Sequence, residues 1–98
     1  MNLFKIELSS RANKDLNRLS NDDCRAVAGA LQKLSLAPFP KKKFIKKIKG
    51  TKHPIYRMRV DTRSNSFRVF YIIASSSTIV VLRVVSKKEA DRAIKMLK

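Results

Sequence analysis

The chain has 98 residues, 23 Lys and Arg against 7 Asp and Glu, and a formal net charge of +16 at pH 7. That length suits a single domain, residues 1–98, around one core, and 44% hydrophobic residues are too many for an intrinsically disordered chain. No apolar run approaches the roughly 18–20 residues of a membrane span, and the opening MNLFKIELSS lacks a signal peptide's apolar stretch, so a cytoplasmic protein with no membrane contact is expected. One cysteine (Cys24) and one histidine (His53) supply neither an internal disulfide nor a structural zinc site, and no metal or other cofactor is expected.

The positive charge is unevenly spread. Residues 1–40 carry six basic and four acidic side chains, net +2, whereas residues 41–98 carry seventeen and three, net +14. A field of this strength on the second half attracts polyanions at long range, which points to nucleic acid or the ribosome as partner.

Taken in chain order, residues 2–8 alternate loosely between apolar and polar and predict a short strand with one buried face. Ser9 or Ser10 can cap a helix in which Ala12, Leu16 and Leu19 share a face, and Asn21 with Asp22 marks a second cap. Beyond it Cys24, Val27, Ala28, Leu31 and Leu34 keep helical spacing up to Pro38. The pair reads as a helical hairpin, with Cys24 an inert thiol on the apolar stripe and Gly29 at a place where close helix packing would account for its cost. Seven lysines follow without an acid between residues 41 and 52, and Phe44, Ile45 and Ile48 anchor this run as an extended segment on the core with its lysines outward. Strands are predicted at 55–60, 66–73 and 78–85, joined by the short links DTRSNS and ASSST, which suit antiparallel neighbours. Ser86 and Glu89 have capping-box spacing ahead of a last helix whose inner face is Ala90, Ala93, Ile94 and Leu97. The fold class is α+β: helices on one face of an antiparallel meander.

Strand alternation puts Tyr56, Met58 and Val60 on one face and Arg57 and Arg59 on the other. In the next strand Phe67, Val69, Tyr71 and Ile73 line the core, which sends Arg68 to the face of the other arginines. Arg83 joins that face if the register permits. Arginine's planar fork matches phosphate oxygens and stays charged at any physiological pH. Lys43, Lys46, Lys47 and Lys49 are further candidates for nucleic-acid contact, together with Arg83. Lys87 and Lys88 fall in the first turn of the last helix, where free N–H groups and two ammonium groups would suit a phosphate. Tyr56 and Tyr71 read as core residues with a polar tip.

This element order, with Ile48-Lys49-Gly50, Ile55-Tyr56-Arg57-Met58-Arg59-Val60, Phe67-Arg68-Val69-Phe70-Tyr71 and Leu82-Arg83-Val84-Val85 in sequence, resembles the RelE/ParE superfamily of toxins over nearly the whole chain. The resemblance implies the toxin of a toxin-antitoxin pair, and for the RelE branch a metal-independent endoribonuclease that cuts mRNA in the ribosomal A site. By position, Arg57 and Arg59 match the family's basic pair, Arg68 its phosphate-stabilising arginine, and Lys87 and Lys88 its basic residues after the last strand. Lysine is the better proton carrier of the two residue types, because crowding by other cations lowers a lysine pKa while arginine stays protonated. Many members carry a histidine after the last strand and a tyrosine near the C-terminus, where this chain has Ser86 and Ile94. The resemblance leaves two alternatives: a ParE-like inhibitor of DNA gyrase, and a non-catalytic RNA- or ribosome-binding protein. It also implies a cognate antitoxin with an acidic binding segment, the ribosome and mRNA as partners, a monomeric free protein and a hetero-oligomeric complex.

Overall fold

The computed structural model describes residues 3–40 and 44–97. The strand β1 (Lys5–Leu8) leads into the helices α1 (Ser10–Asn17) and α2 (Asn21–Leu36). There follow β2 (Ile45–Lys47), β3 (Tyr56–Asp61), β4 (Ser66–Ser75) and β5 (Thr78–Ser86), then one 3-10 turn (Lys87–Glu89) and α3 (Ala90–Leu97). The sheet order is β1-β5-β4-β3-β2, antiparallel except for β1, which runs parallel to β5. Parallel pairing there is possible because the whole of the chain from α1 to β4 forms the connection between the two strands.

Local chemistry accounts for the helix starts. Ser9 Oγ accepts from the Ala12 N–H at 3.1 Å, and Ser20 Oγ accepts from the Asp23 N–H at 3.2 Å. The second cap is therefore Ser20, one residue before the predicted Asn21, and it leaves Asp22 and Asp23 in the first turn, where the helix dipole favours carboxylates. Of the predicted α2 stripe, Val27, Leu31 and Leu34 are buried, Cys24 is half-buried and Ala28 is exposed. Val27, Leu31 and Leu34, together with Ala12, pack on Met58, Val60, Phe67, Val69, Tyr71, Ile79 and Val81. Tyr71 is fully buried, stacks on Tyr56 at 5.6 Å and donates its hydroxyl to the Pro38 carbonyl at 2.7 Å. Burial raises the pKa of its phenol.

A second, smaller core lies on the opposite side of the sheet, where Ile55, Phe70 and Val85 pack against Ala90 and Ala93 of α3. Helices thus cover both faces, not the one face expected, because Phe70 and Val85 are too apolar to be left in water. Of the three predicted anchors in the lysine-rich run, Ile45 is buried and Ile48 packs on the second core, but Phe44 is 59% exposed. Gly50, which follows that strand, takes φ 83°, a backbone conformation that suits glycine.

Gly29 does not serve close packing: it is exposed, and a Cβ built there meets nothing within 4 Å. Gly29→Ala should therefore raise stability by about 0.5–1 kcal/mol, since it removes glycine's backbone entropy cost without a clash. Chemical denaturation of the two proteins measures the difference directly.

Candidate nucleic-acid interface

Strand register decides which basic side chains meet. Arg57 lies opposite Phe70, Arg59 opposite Arg68 and Asp61 opposite Ser66, while β2 sets Lys46 opposite Arg57. Directly opposed residues share a face with Cβ atoms about 4.5–5.5 Å apart. Lys46, Arg57, Arg59 and Arg68 therefore form one block on the face that α3 covers only in part. Arg59 is exposed, Arg57 and Arg68 half-buried.

Two guanidinium groups directly opposed across strands repel, and a short polar chain answers that repulsion. Arg59 Nε donates to Asp61 Oδ2 at 2.8 Å, Ser66 Oγ donates to Asp61 Oδ1 at 2.6 Å, and Arg68 Nη1 donates to Ser66 Oγ at 2.9 Å and to the Phe67 carbonyl at 3.1 Å. The Ser66 hydrogen bond above all, with help from Arg59, holds the Asp61 carboxyl below its usual range despite the opposing effect of burial. Burial, then the charges of Arg57 and Arg59, lowers the pKa of Arg68, which still leaves it a cation. Neither Asp61 nor Ser66 was singled out by the pattern of the sequence. One signal was available: Asp61 is the only acid between Asp23 and Glu89.

Arg83 does not join the block. A register shift leaves Leu82 as an extra residue of β5 between the pairs Phe70–Arg83 and Tyr71–Val81, so alternation along β5 changes phase there. Arg83 comes opposite Phe70, but its Nε and Nη2 reach back to Asp15 of α1 at 2.8 and 3.2 Å. The Asp15 side chain is only 9% exposed and that of Arg83 16%, so this pair is part of the fold. The hydrogen bond to Asp15 raises the pKa of Arg83 despite burial.

Lys87 and Lys88 are exposed at the end of β5, one step beyond the Phe67–Ser86 pair and thus at the Asp61–Ser66 end of the sheet. The predicted capping box is not formed. Ser86 Oγ donates to the Glu89 carboxylate at 3.1 Å, makes no bond to a backbone N–H, and the first turn is 3-10. Lys87 and Lys88 therefore precede α3 instead of occupying its first α-helical turn. Lys46 stands beside Arg57; Lys47, opposite Tyr56, points to the other face; Lys49 is exposed after β2. Lys43 lies outside the described residues.

The family model for phage derived protein Gp49-like matches residues 14–96. A Methanocaldococcus jannaschii protein carrying the RelE1 toxin name is 32% identical over 87 residues, 88% of this chain and 91% of its own length. Among solved structures, a doubly substituted Escherichia coli toxin RelE in the free state superposes with a TM-score of 0.70 at 17% identity, covering 98% of this chain and 99% of that one. The Mycobacterium tuberculosis toxin-antitoxin complex RelBE2 gives 0.67 at 24% identity, with 87% and 99% covered. These last two are likenesses of fold. The chain belongs to the Gp49-like family and is a RelE-like toxin, the toxin of a RelE-type toxin-antitoxin system. Among the described residues no helix is long and apolar enough to cross a membrane.

Because Asp15 also accepts from the Val84 N–H at 2.9 Å, Asp15→Ala strands both a guanidinium and a backbone donor. Urea unfolding is expected to show a loss of about 3 kcal/mol. Asp15→Asn, which keeps an acceptor for Val84, should lose less.

Proposed function

We propose that this toxin is a ribosome-dependent mRNA endoribonuclease that needs no metal. The observation that carries this reading is the block of Lys46, Arg57, Arg59 and Arg68 on one sheet face, with Lys87 and Lys88 at the adjoining end of β5. In the reaction the 2′-oxygen of a nucleotide bonds to the adjacent phosphorus, the bond from phosphorus to the 5′-oxygen breaks, the 2′-hydroxyl loses a proton and the leaving oxygen gains one. Arg68, fixed by Ser66 and the Phe67 carbonyl, is suited to stabilise charge on the phosphorane, which is the largest single contribution to be expected from such a site. Arg57 and Arg59 hold the flanking phosphates in line. Lys87 or Lys88 carries the protons, since arginine does not exchange one at physiological pH.

The partners follow from the same reading: mRNA in the ribosome as target, in the cytoplasm, and a cognate antitoxin whose acidic segment masks the basic face. The M. tuberculosis relative in its complex with an antitoxin supports that pairing. A second reading, binding to RNA or ribosome without cleavage, draws on Ser86, whose hydroxyl is taken up by Glu89, and on apolar Ile94 packed in the second core.

Primer extension on mRNA from a reconstituted translation system tests the proposal. Discrete cuts within A-site codons are expected with wild-type protein and ribosomes together and with neither alone. Arg68→Ala should reduce the cleavage rate on the order of 100- to 1000-fold. Intact mRNA at excess wild-type protein would favour the binding-only reading.

A further inference from the structure

An acid on a face that is to meet phosphate works against binding, and Asp61 is the sole acid in the stretch that holds the arginine block. An exposed ion pair such as Arg59–Asp61, with both side chains 47% exposed, contributes little to folding. Stability therefore gives little account of it, and its geometry gives a better one. The two Asp61 oxygens are divided between the two sides of the block: Oδ2 takes Arg59 Nε, and Oδ1 takes the Ser66 hydroxyl, whose oxygen in turn takes Arg68 Nη1. A single carboxylate and a single hydroxyl thereby fix the relative position of two guanidinium groups that would otherwise repel. Each arginine keeps donors free, since Arg59 uses only Nε and Arg68 only Nη1 within this set, out of five N–H groups apiece.

The turn that carries Asp61 and Ser66 is itself braced. Thr62 and Asn65 exchange bonds through Thr62 Oγ1 at 3.0 and 3.2 Å and backbone to backbone at 2.8 Å, and Asn65 Nδ2 donates to Asp23 of α2 at 2.9 Å. The carboxylate thus sits on a platform tied to the helical layer.

We propose that Asp61, acting with Ser66, is a positioning residue of this site: it sets the spacing of Arg59 and Arg68 so that their free N–H groups converge on the scissile phosphate. The assignment rests on the nuclease reading and goes beyond it by giving a catalytic consequence to residues that touch no substrate.

The test is steady-state cleavage of ribosome-bound mRNA by wild type, Asp61→Asn, Asp61→Glu and Ser66→Ala, with kcat and KM determined separately and the folded fraction of each protein taken from thermal unfolding. Misplaced reacting groups are expected to lower kcat of Asp61→Asn on the order of tenfold, while its KM falls because a negative charge has left the RNA-binding face. Ser66→Ala, which changes no charge, should lower kcat and leave KM as it was. Asp61→Glu should recover part of the loss. Unchanged kcat in Asp61→Asn and Ser66→Ala beside an active wild type overturns this assignment alone, as do losses that disappear once rates are divided by the folded fraction. A wild-type protein that makes no cut overturns the nuclease reading, and the assignment with it.

Discussion

The outer edge of β5 is the constraint on which this fold depends. β1 contributes only four residues and leaves β5 at Val81, so the rest of that edge would expose backbone groups that must be satisfied. The beginning of α1 and its middle supply the partners. Ser9 donates its N–H to the Val81 carbonyl and its hydroxyl to the Leu82 carbonyl, each at 2.9 Å, and Asp15 accepts from Val84. Ser9 is at the same time the cap of α1, so one hydroxyl starts the helix and closes the sheet. The bulge at Leu82 falls in this same stretch, and it is what lets Val84 remain in the main core while Val85 turns toward α3.

From that arrangement follows a sheet whose two faces are filled to different degrees. The face under α1 and α2 is apolar across its centre, from Ile45 and Met58 to Val69 and Ile79. The other is apolar only under α3, whose eight residues meet the sheet through the small side chains of Ala90 and Ala93. Short as it is, α3 covers Phe70 and Val85 and leaves Arg57 and Arg68 in the same rows half-buried and Arg59 exposed. Cations crowd there because nothing apolar competes for those positions. Burial first and the crowding second lower the pKa of Arg68, and the charge of a single carboxylate, Asp61, opposes them in part.

The order of elements was legible because each has a local signature: capping serines, helical spacing of Val27, Leu31 and Leu34, and alternation in β3 and β4. Alternation also placed Arg57, Arg59 and Arg68 on a common face, since neither strand is bulged between those residues. For Arg83 the inserted residue brings its position opposite Phe70, on that same face, but a distant carboxylate, Asp15, captures the side chain; both are tertiary facts with no mark in the local pattern. The 3-10 turn at Lys87–Glu89 escaped notice for a related reason. Ser86 and Glu89 have the right spacing for a capping box, but they bond to one another, and spacing alone does not say which donor each oxygen will take. Gly29 invited a packing explanation that an open helix surface does not require.

Ser86 and Ile94, where the resemblance to the toxin family leads one to expect a histidine and a tyrosine, bear on how such a site would work. Ser86 is committed to Glu89, and Ile94 faces the second core, so neither supplies a proton donor toward the arginine face. On the nuclease reading, the titratable cations left at that end of the sheet are Lys87 and Lys88, both exposed and neither fixed by a side-chain hydrogen bond among the described residues. A mobile ammonium is a poor match for proton transfer that requires a fixed geometry. The braced arginines, by contrast, are held before substrate arrives. Electrostatic stabilisation by preorganised donors loses nothing to reorganisation during the reaction, whereas lysines without fixed partners must be ordered by the RNA or by the ribosome. A site of this kind would turn over slowly by itself and gain most from a partner that positions the nucleotide, so the proposed dependence on the ribosome would have a physical basis in the placement of these side chains.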